Sequence, residues 1–397
     1  MPTIESNGWP LVFKADAESR LPQASQSGES TIGIRTAVRA LEGMQKEAIV
    51  HYGPTGTTWR MVSDEGPYLN GTDLAPFPLA FYTAGMAFSF LSEIISGAEE
   101  RGIVIDDVTI TQDNYYTMEG SAIRGDMTGG ARPVELQVEV ACDGSPETVA
   151  EIVRRAERRS PAQAYMRDVL ENTFALSLNG HELSVERVCP SEEPLANDPA
   201  ETFERLQPQA GDFTPEIIRK LKAAETLVGV EGGAGSSLQS EQKRVLHVRG
   251  VATMHDDGLM EAIVQLFKPL GSTFRFLCDE GDAEQAPPSL AYLSAGVGFC
   301  FMTQLGRYAH IVKQELASYR IVQDNTFTLR RGEEGDERAF AMPVDTHVFV
   351  HCDESEEDAR RLLSMGEQTC FLHAAMRTSH HSHISLTVND EPVAVTT

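Results

Sequence analysis

Ala84-Gly85-Met86-Ala87-Phe88-Ser89-Phe90 returns 211 positions later as Ala295-Gly296-Val297-Gly298-Phe299-Cys300-Phe301. The first copy sits in an uncharged run from Leu74 to Ser92, the second in another from Ala286 to Gly306. Each run is too long for a strand and, at about 20 residues, long enough by length alone to cross a membrane. Pro76 and Pro78 open the first run, and both runs carry Gly, Ser, Thr and Tyr. Two buried core helices are the better reading, because hydrocarbon leaves polar groups unsatisfied.

The repeat extends outward from these helices. TTWRMVSDEG, ending at Gly66, returns as STFRFLCDEG, ending at Gly281; QDNYYTM from Gln112 returns as QDNTFTL from Gln323; VACDGS from Val140 returns as VHCDES from Val350. The offset stays between 210 and 215 throughout, the signature of a duplicated domain with small loop indels. The first copy is placed at residues 31–183 and the second at 242–397, with 1–30 as a flexible arm. Residues 184–241, holding Pro190, Pro194, Pro199 and EGGAGSS, read as a connector. Within a copy, alternating strands precede the long helix, more strands follow, and a charged amphipathic segment such as Glu354 to Met365 leads into a second helix and a last strand. That order predicts an α+β fold, with the two copies packed as an intramolecular pseudo-dimer whose central buried helices are wrapped by antiparallel sheets.

The chain has 397 residues, is 41% hydrophobic and carries a formal charge of -26, from 33 Lys plus Arg against 59 Asp plus Glu. Such a field repels phosphate backbones and anionic headgroups, so neither nucleic acid nor a membrane is expected as partner. No basic-then-apolar leader opens the sequence, and six cysteines without a CxxC pair do not make a disulfide scaffold. A cytoplasmic, reducing setting is the expectation.

Aligning the copies sorts the cysteines. Cys142 and Cys352 recur and read as structural. At three places the first copy has serine where the second has cysteine: Ser63 and Cys278, Ser89 and Cys300, Ser160 and Cys370. The two side chains are nearly isosteric, but the thiol ionises near neutrality and is the better nucleophile. Cys278 belongs to a strand and reads as core. Cys300 and Cys370 fall on or beside the two helices and carry the thiol chemistry, if there is any.

The layout of each copy, the Ala-Gly-x-x-x-Cys helix around Cys300 and the later Cys370 resemble the OsmC/Ohr superfamily of thiol-dependent hydroperoxide reductases. The resemblance implies an intertwined α+β dimer with sites at its interface, here fused into one chain. It also implies that Cys300 attacks the peroxide and Cys370 resolves the sulfenic acid as a disulfide, with a dithiol as reductant and no cofactor. Members carry a Pro-Glu-Gln-Leu turn whose Glu holds an activating Arg, and the Glu position falls here at Leu290. Arg249 and Arg275, which recur as Arg35 and Arg60, are the candidate activating arginines, although recurrence fits structural ion pairs equally.

Histidines open an alternative. His373 follows Cys370 by three residues, one helical turn, and Gln163 stands at its place in the first copy. Cys300, Cys370 and His373 could form a Cys/His site or ligate zinc, acting by hydrolysis or group transfer on a non-peroxide small molecule. His380, His381 and His383 read as a solvated turn. A third reading is a small-molecule binding module with incidental thiols. Asp113 and Asp324 of the shared QDN read as turn or strand-end residues.

Overall fold

The computed structural model describes residues 2–22, 31–211, 216–223, 242–268, 270–331 and 337–395. The first copy runs β1 (Val12–Lys14), β2 (Thr31–Ala40), β3 (Lys46–Tyr52), β4 (Thr57–Ser63), α1 (Pro78–Glu99), β5 (Ile105–Gly120), β6 (Thr128–Ala131) and β7 (Glu135–Cys142). It closes with α2 (Pro146–Arg159), α3 (Pro161–Arg167), β8 (Thr173–Leu178) and β9 (His181–Leu183). Next come β10 (Cys189–Pro190), α4 (Ala200–Arg205) and β11 (Ile218–Lys222). The second copy repeats the order as β12 (Gln242–Met254), β13 (Met260–Lys268), β14 (Thr273–Cys278), α5 (Ser289–Val312), β15 (Leu316–Arg331), β16 (Glu337–Ala341) and β17 (Asp345–Cys352), then α6 (Glu356–Thr369), α7 (Phe371–Met376), β18 (His383–Val388) and β19 (Glu391–Val393).

The copies exchange strands. One sheet is ordered β1-β4-β3-β2-β15-β17-β8-β10, the other β11-β14-β13-β12-β5-β7-β18-β19, so each is built from both copies. The helices cause the exchange: α1 carries the chain from β4 in one sheet to β5 in the other, and α2 with α3 brings it back to β8. In the second copy α5 and the α6–α7 pair do the same in the opposite sense. Pairing is antiparallel except at the strands that return through those helix pairs, where β8 joins β17 and β18 joins β7 in parallel, and at β10, which joins β8 in parallel. The result is the expected pseudo-dimer, modified by those parallel strands.

Both central helices are apolar on every side, as a helix between two sheets must be. Phe81, Phe88, Phe90, Phe299 and Phe301 are fully buried, each contributing about 1.5–3 kcal/mol relative to exposure. The helices touch backbone to backbone. A Cβ on Gly85 would lie 2.6 Å from the Leu293 backbone nitrogen, and one on Gly296 would lie 2.6 Å from that of Tyr82. The peripheral helices start on conventional caps, with the Ser145 and Ser355 hydroxyls accepting from the N–H groups of Thr148 and Asp358.

At each junction between copies a bidentate Arg–Asp pair spans the two strands. Arg35 is bidentate to Asp324 at 2.7 and 2.5 Å, and Arg249 to Asp113 at 2.8 and 2.7 Å. Asp113 and Asp324 therefore lie within strands, directly opposite these arginines in register, rather than at turns or strand ends.

Part of the stretch expected as a flexible arm is built into the fold. β1 pairs with β4, and Val12, Phe13 and Leu21 are buried; residues 23–30 lie outside the described part. β11, inside the expected connector, pairs with β14 as its counterpart. Connector residues 195–206 pack on the outer face of the first sheet, where Asp198 holds Arg320 at 2.5 and 2.8 Å and Phe203 lies under Arg39. EGGAGSS falls outside the described residues.

Alanine in place of Gly296 should lower stability even though helix propensity alone favours it by about 1 kcal/mol. Overpacking costs about 1–3 kcal/mol and here acts against backbone, which cannot rotate away. A denaturant midpoint that stays or rises would contradict the close crossing.

Candidate functional site

Cys300 lies in the middle of α5. Cys370 ends α6 and caps α7, its extended backbone making the kink between the two helices. The kink turns Cys370 back onto α5, and the two sulfurs stand 3.5 Å apart, both buried. His373, one turn into α7, is fully buried between Phe174 and Phe301, with ring centroids at 5.5 and 5.0 Å. Neither of its ring nitrogens makes a hydrogen bond of ordinary geometry.

Two buried thiols in contact share protons unequally. Burial pushes the Cys300 thiol well above the usual range and Cys370 adds to this, while the N–H groups of Phe371 and Leu372 work in the opposite sense. Burial acts the same way on Cys370 but is outweighed by the hydrogen bond with Cys300 and by His373, so this thiol lies well below the usual range. Loss of a proton from the pair is thus favoured at the sulfur beside the imidazole.

Cys300 faces a cavity of about 20 Å³, space for one or two waters. Its walls include Glu65, Tyr68, Leu79, Thr303, Arg307 and Phe371. Glu65 comes from the first copy. It accepts from Thr303 Oγ1 at 2.8 Å and Tyr68 Oη at 2.9 Å, and Lys46 Nζ lies 3.9 Å from its Oε1. Lys46 is itself buried and donates to the Met44 carbonyl at 2.6 Å. Burial raises the Glu65 carboxyl against the pull of Lys46, Thr303 and Tyr68, and lowers the Lys46 ammonium against that of Glu65, Asp64 and Cys300.

The structure brings Cys300, Cys370 and His373 together and leaves the expected arginines elsewhere. Arg249 is spent on Asp113 and lies over Phe267 at 5.0 Å. Its neighbour Gly250 faces Thr83 of α1, so strand alternation turns Arg249 outward. Arg275 donates to the Glu216 carbonyl at 2.8 Å and lies 3.6 Å from Glu261. Both recurrent positions are structural, as are Arg35 at the other junction and Arg60, which is buried against Glu47 at 2.7 Å. Leu290 is a buried core residue at the start of α5. Among the described residues no three His, Cys, Asp or Glu side chains are arranged to hold a metal, so the zinc set of Cys300, Cys370 and His373 is not formed. His381 and His383 are exposed and His380 half-buried.

Lys46, Glu65 and Arg307 were missed by reading the sequence for cysteine and recurrent arginine. Glu65 was within reach, since it belongs to the recurring Asp-Glu-Gly. Lys46 differs between copies: it pairs with Ser63 as Met260 pairs with Cys278.

The equivalent place in the other half holds the Ser89 and Ser160 hydroxyls at 2.9 Å, with Gln163 accepting from Ser382 at 3.0 Å. Geometry is kept there and ionisable sulfur is absent.

Residues 71–171, within the first copy, match the family model described as OsmC-like protein. The chain thus contains an OsmC-like domain over those residues, and its second half repeats the same order of elements. The matched segment is the copy without the thiol pair; Cys300 and Cys370 lie in the other. Among solved structures, the chain is similar to an OsmC-like hydroperoxide resistance protein from Jannaschia sp. CCS1, at 20% identity over 37% of this chain and 96% of that one, with a TM-score of 0.26. No curated protein matches the chain.

Replacing His373 by Gln, the residue at Gln163, should leave the fold intact. It removes the group that favours thiolate on Cys370, so the pH at which the pair reacts with a small thiol reagent should move up. Reaction rates across pH 5–9 check this, and an unchanged profile would detach His373 from the thiols.

Proposed function

We propose that the protein is a thiol-dependent reductase of organic hydroperoxides with one working site per chain. The observation that carries this reading is the 3.5 Å contact of two buried sulfurs, one of which faces the cavity. Cys300 hands its proton to the Cys370 side of the pair and attacks the distal peroxide oxygen. The O–O bond breaks, Cys300 becomes a sulfenic acid, and the departing alkoxide takes up a proton to leave as the alcohol. Cys370 then attacks the Cys300 sulfur and expels hydroxide, which leaves as water once protonated, so the peroxide has gained two electrons and the pair has lost two. A small dithiol in the surroundings would return them by exchange through a mixed disulfide. Closing the S–S bond to about 2.05 Å requires a shift of the α7 kink small enough to leave the sheets in place.

Support comes also from the other half. Hydroxyls in the same geometry cannot carry this chemistry, so a single site is what the Ser-for-Cys pattern leaves. The metal-thiolate alternative lacks a third ligand in position.

Cys300→Ser should abolish turnover of an organic hydroperoxide with a dithiol reductant and keep the fold, since Ser89 occupies the same place in α1. Cys370→Ser should reduce one equivalent and then accumulate sulfenic and sulfinic acid at Cys300 by peptide mass mapping, where the natural chain gives a Cys300–Cys370 disulfide. Full turnover by Cys300→Ser would end the reading.

A further inference from the structure

Lys46 is a buried ammonium that the steps above do not use. It is 2% exposed and donates to the Met44 carbonyl at 2.6 Å. Burying such a charge costs several kcal/mol unless something nearby needs it. Glu65, at 3.9 Å, is too far for a strong hydrogen bond and is held instead by Thr303, one turn beyond Cys300 on α5, and by Tyr68. Cys300, Thr303 and Glu65 therefore line one wall of the thiol cavity, and the Lys46 ammonium stands behind that wall, 3.9 Å from Glu65.

The duplication supplies an internal control. The half with two thiols has Lys46 on its β3 strand, whereas the half with two serine hydroxyls has Met260 at the same register position. The cation and the ionisable sulfurs are kept together and lost together, although they belong to different copies. A lysine needed for the fold alone would have no reason to follow the sulfurs.

We infer that the first copy supplies the charged wall of the second copy's thiol site, with Glu65 positioning Lys46 so that its ammonium stabilises the negative charge that forms on Cys300 as the proton leaves. This deepens the peroxidase reading and rests on the same thiol pair. The charged and titratable groups that act on Lys46 are Glu65 and Asp64, just beyond β4, and Cys300 on α5. The two acids temper the field of the ammonium, so the effect of Lys46 is read as a change in the thiol rather than as an absolute value.

The test uses the full chain. In Lys46→Met, which copies the residue of the other half, the rate at which iodoacetamide alkylates Cys300 at pH 7, followed by peptide mass mapping, should fall about tenfold and the midpoint of its pH profile should rise; Lys46→Arg should restore both. An unchanged profile in a folded Lys46→Met protein overturns the inference. If that variant does not fold, Lys46→Gln, which can keep the Met44 hydrogen bond, gives the same reading with the same two outcomes. Alkylation involves no peroxide, so a protein in which Lys46 governs Cys300 but no hydroperoxide is turned over would keep this inference and end the peroxidase one.

Discussion

The crossing of α1 and α5 at Gly85 and Gly296 is the contact on which the other features depend. With no Cβ on either residue, each helix backbone lies against the other, which sets the two sheets around a common centre. Because each helix enters from one sheet and leaves to the other, that crossing also dictates the strand exchange. Neither copy can then complete a sheet alone: β2 needs β15, and β12 needs β5. The Arg35–Asp324 and Arg249–Asp113 pairs fix the register at these two seams, since a slip of one residue would turn each arginine to the opposite face.

The same closeness makes the thiol site a joint product. Cys300 and Cys370 come from the second copy, but Glu65 lines the same cavity from the first, with Lys46 3.9 Å behind it. Buried surroundings disfavour charge on any one of these groups, and only their mutual arrangement offsets it. For that reason the two thiols are shifted in opposite senses, Cys300 upward by burial and Cys370 downward by its hydrogen bond with Cys300 and by His373. One sulfur is ready to receive a proton and the other faces the opening.

Much of this was legible in the sequence because repetition makes each copy a reference for the other. The uncharged runs gave both central helices, and the serine-for-cysteine exchange singled out Cys300 and Cys370, which the structure brings into contact. The exchange of strands was invisible, since hydrophobic alternation reports which face of a strand is buried but not which copy's neighbour it pairs with. The arginines misled for a related reason: Arg249 recurs as Arg35 because each seam carries one, and Arg275 and Arg60 each hold a glutamate within their own sheet, so recurrence pointed to structure. β1 and β11, of 3 and 5 residues, are too brief for a periodic signal. Lys46 was hidden because nothing local distinguishes a lysine at a strand start from a solvated one; its burial is created by Glu65 and α5, which come from elsewhere in the chain.

Fusion of the two copies removes a constraint that a symmetric dimer cannot escape. In a homodimer every residue appears in both sites, so a residue that suits one suits or burdens the other equally. Here Lys46 and Met260, Ser89 and Cys300, and Gln163 and His373 occupy matched places with different chemistry. The half with hydroxyls is relieved of a buried ammonium and two thiols that it has no means to use. It keeps the helix crossing, the seams and the caps, which the thiol-bearing half requires as much as its own. Symmetry is thus retained where the two halves share a load through the backbone and is broken at the side chains of one cavity, which is the distribution expected when a second site is lost while the fold that supports the first must persist.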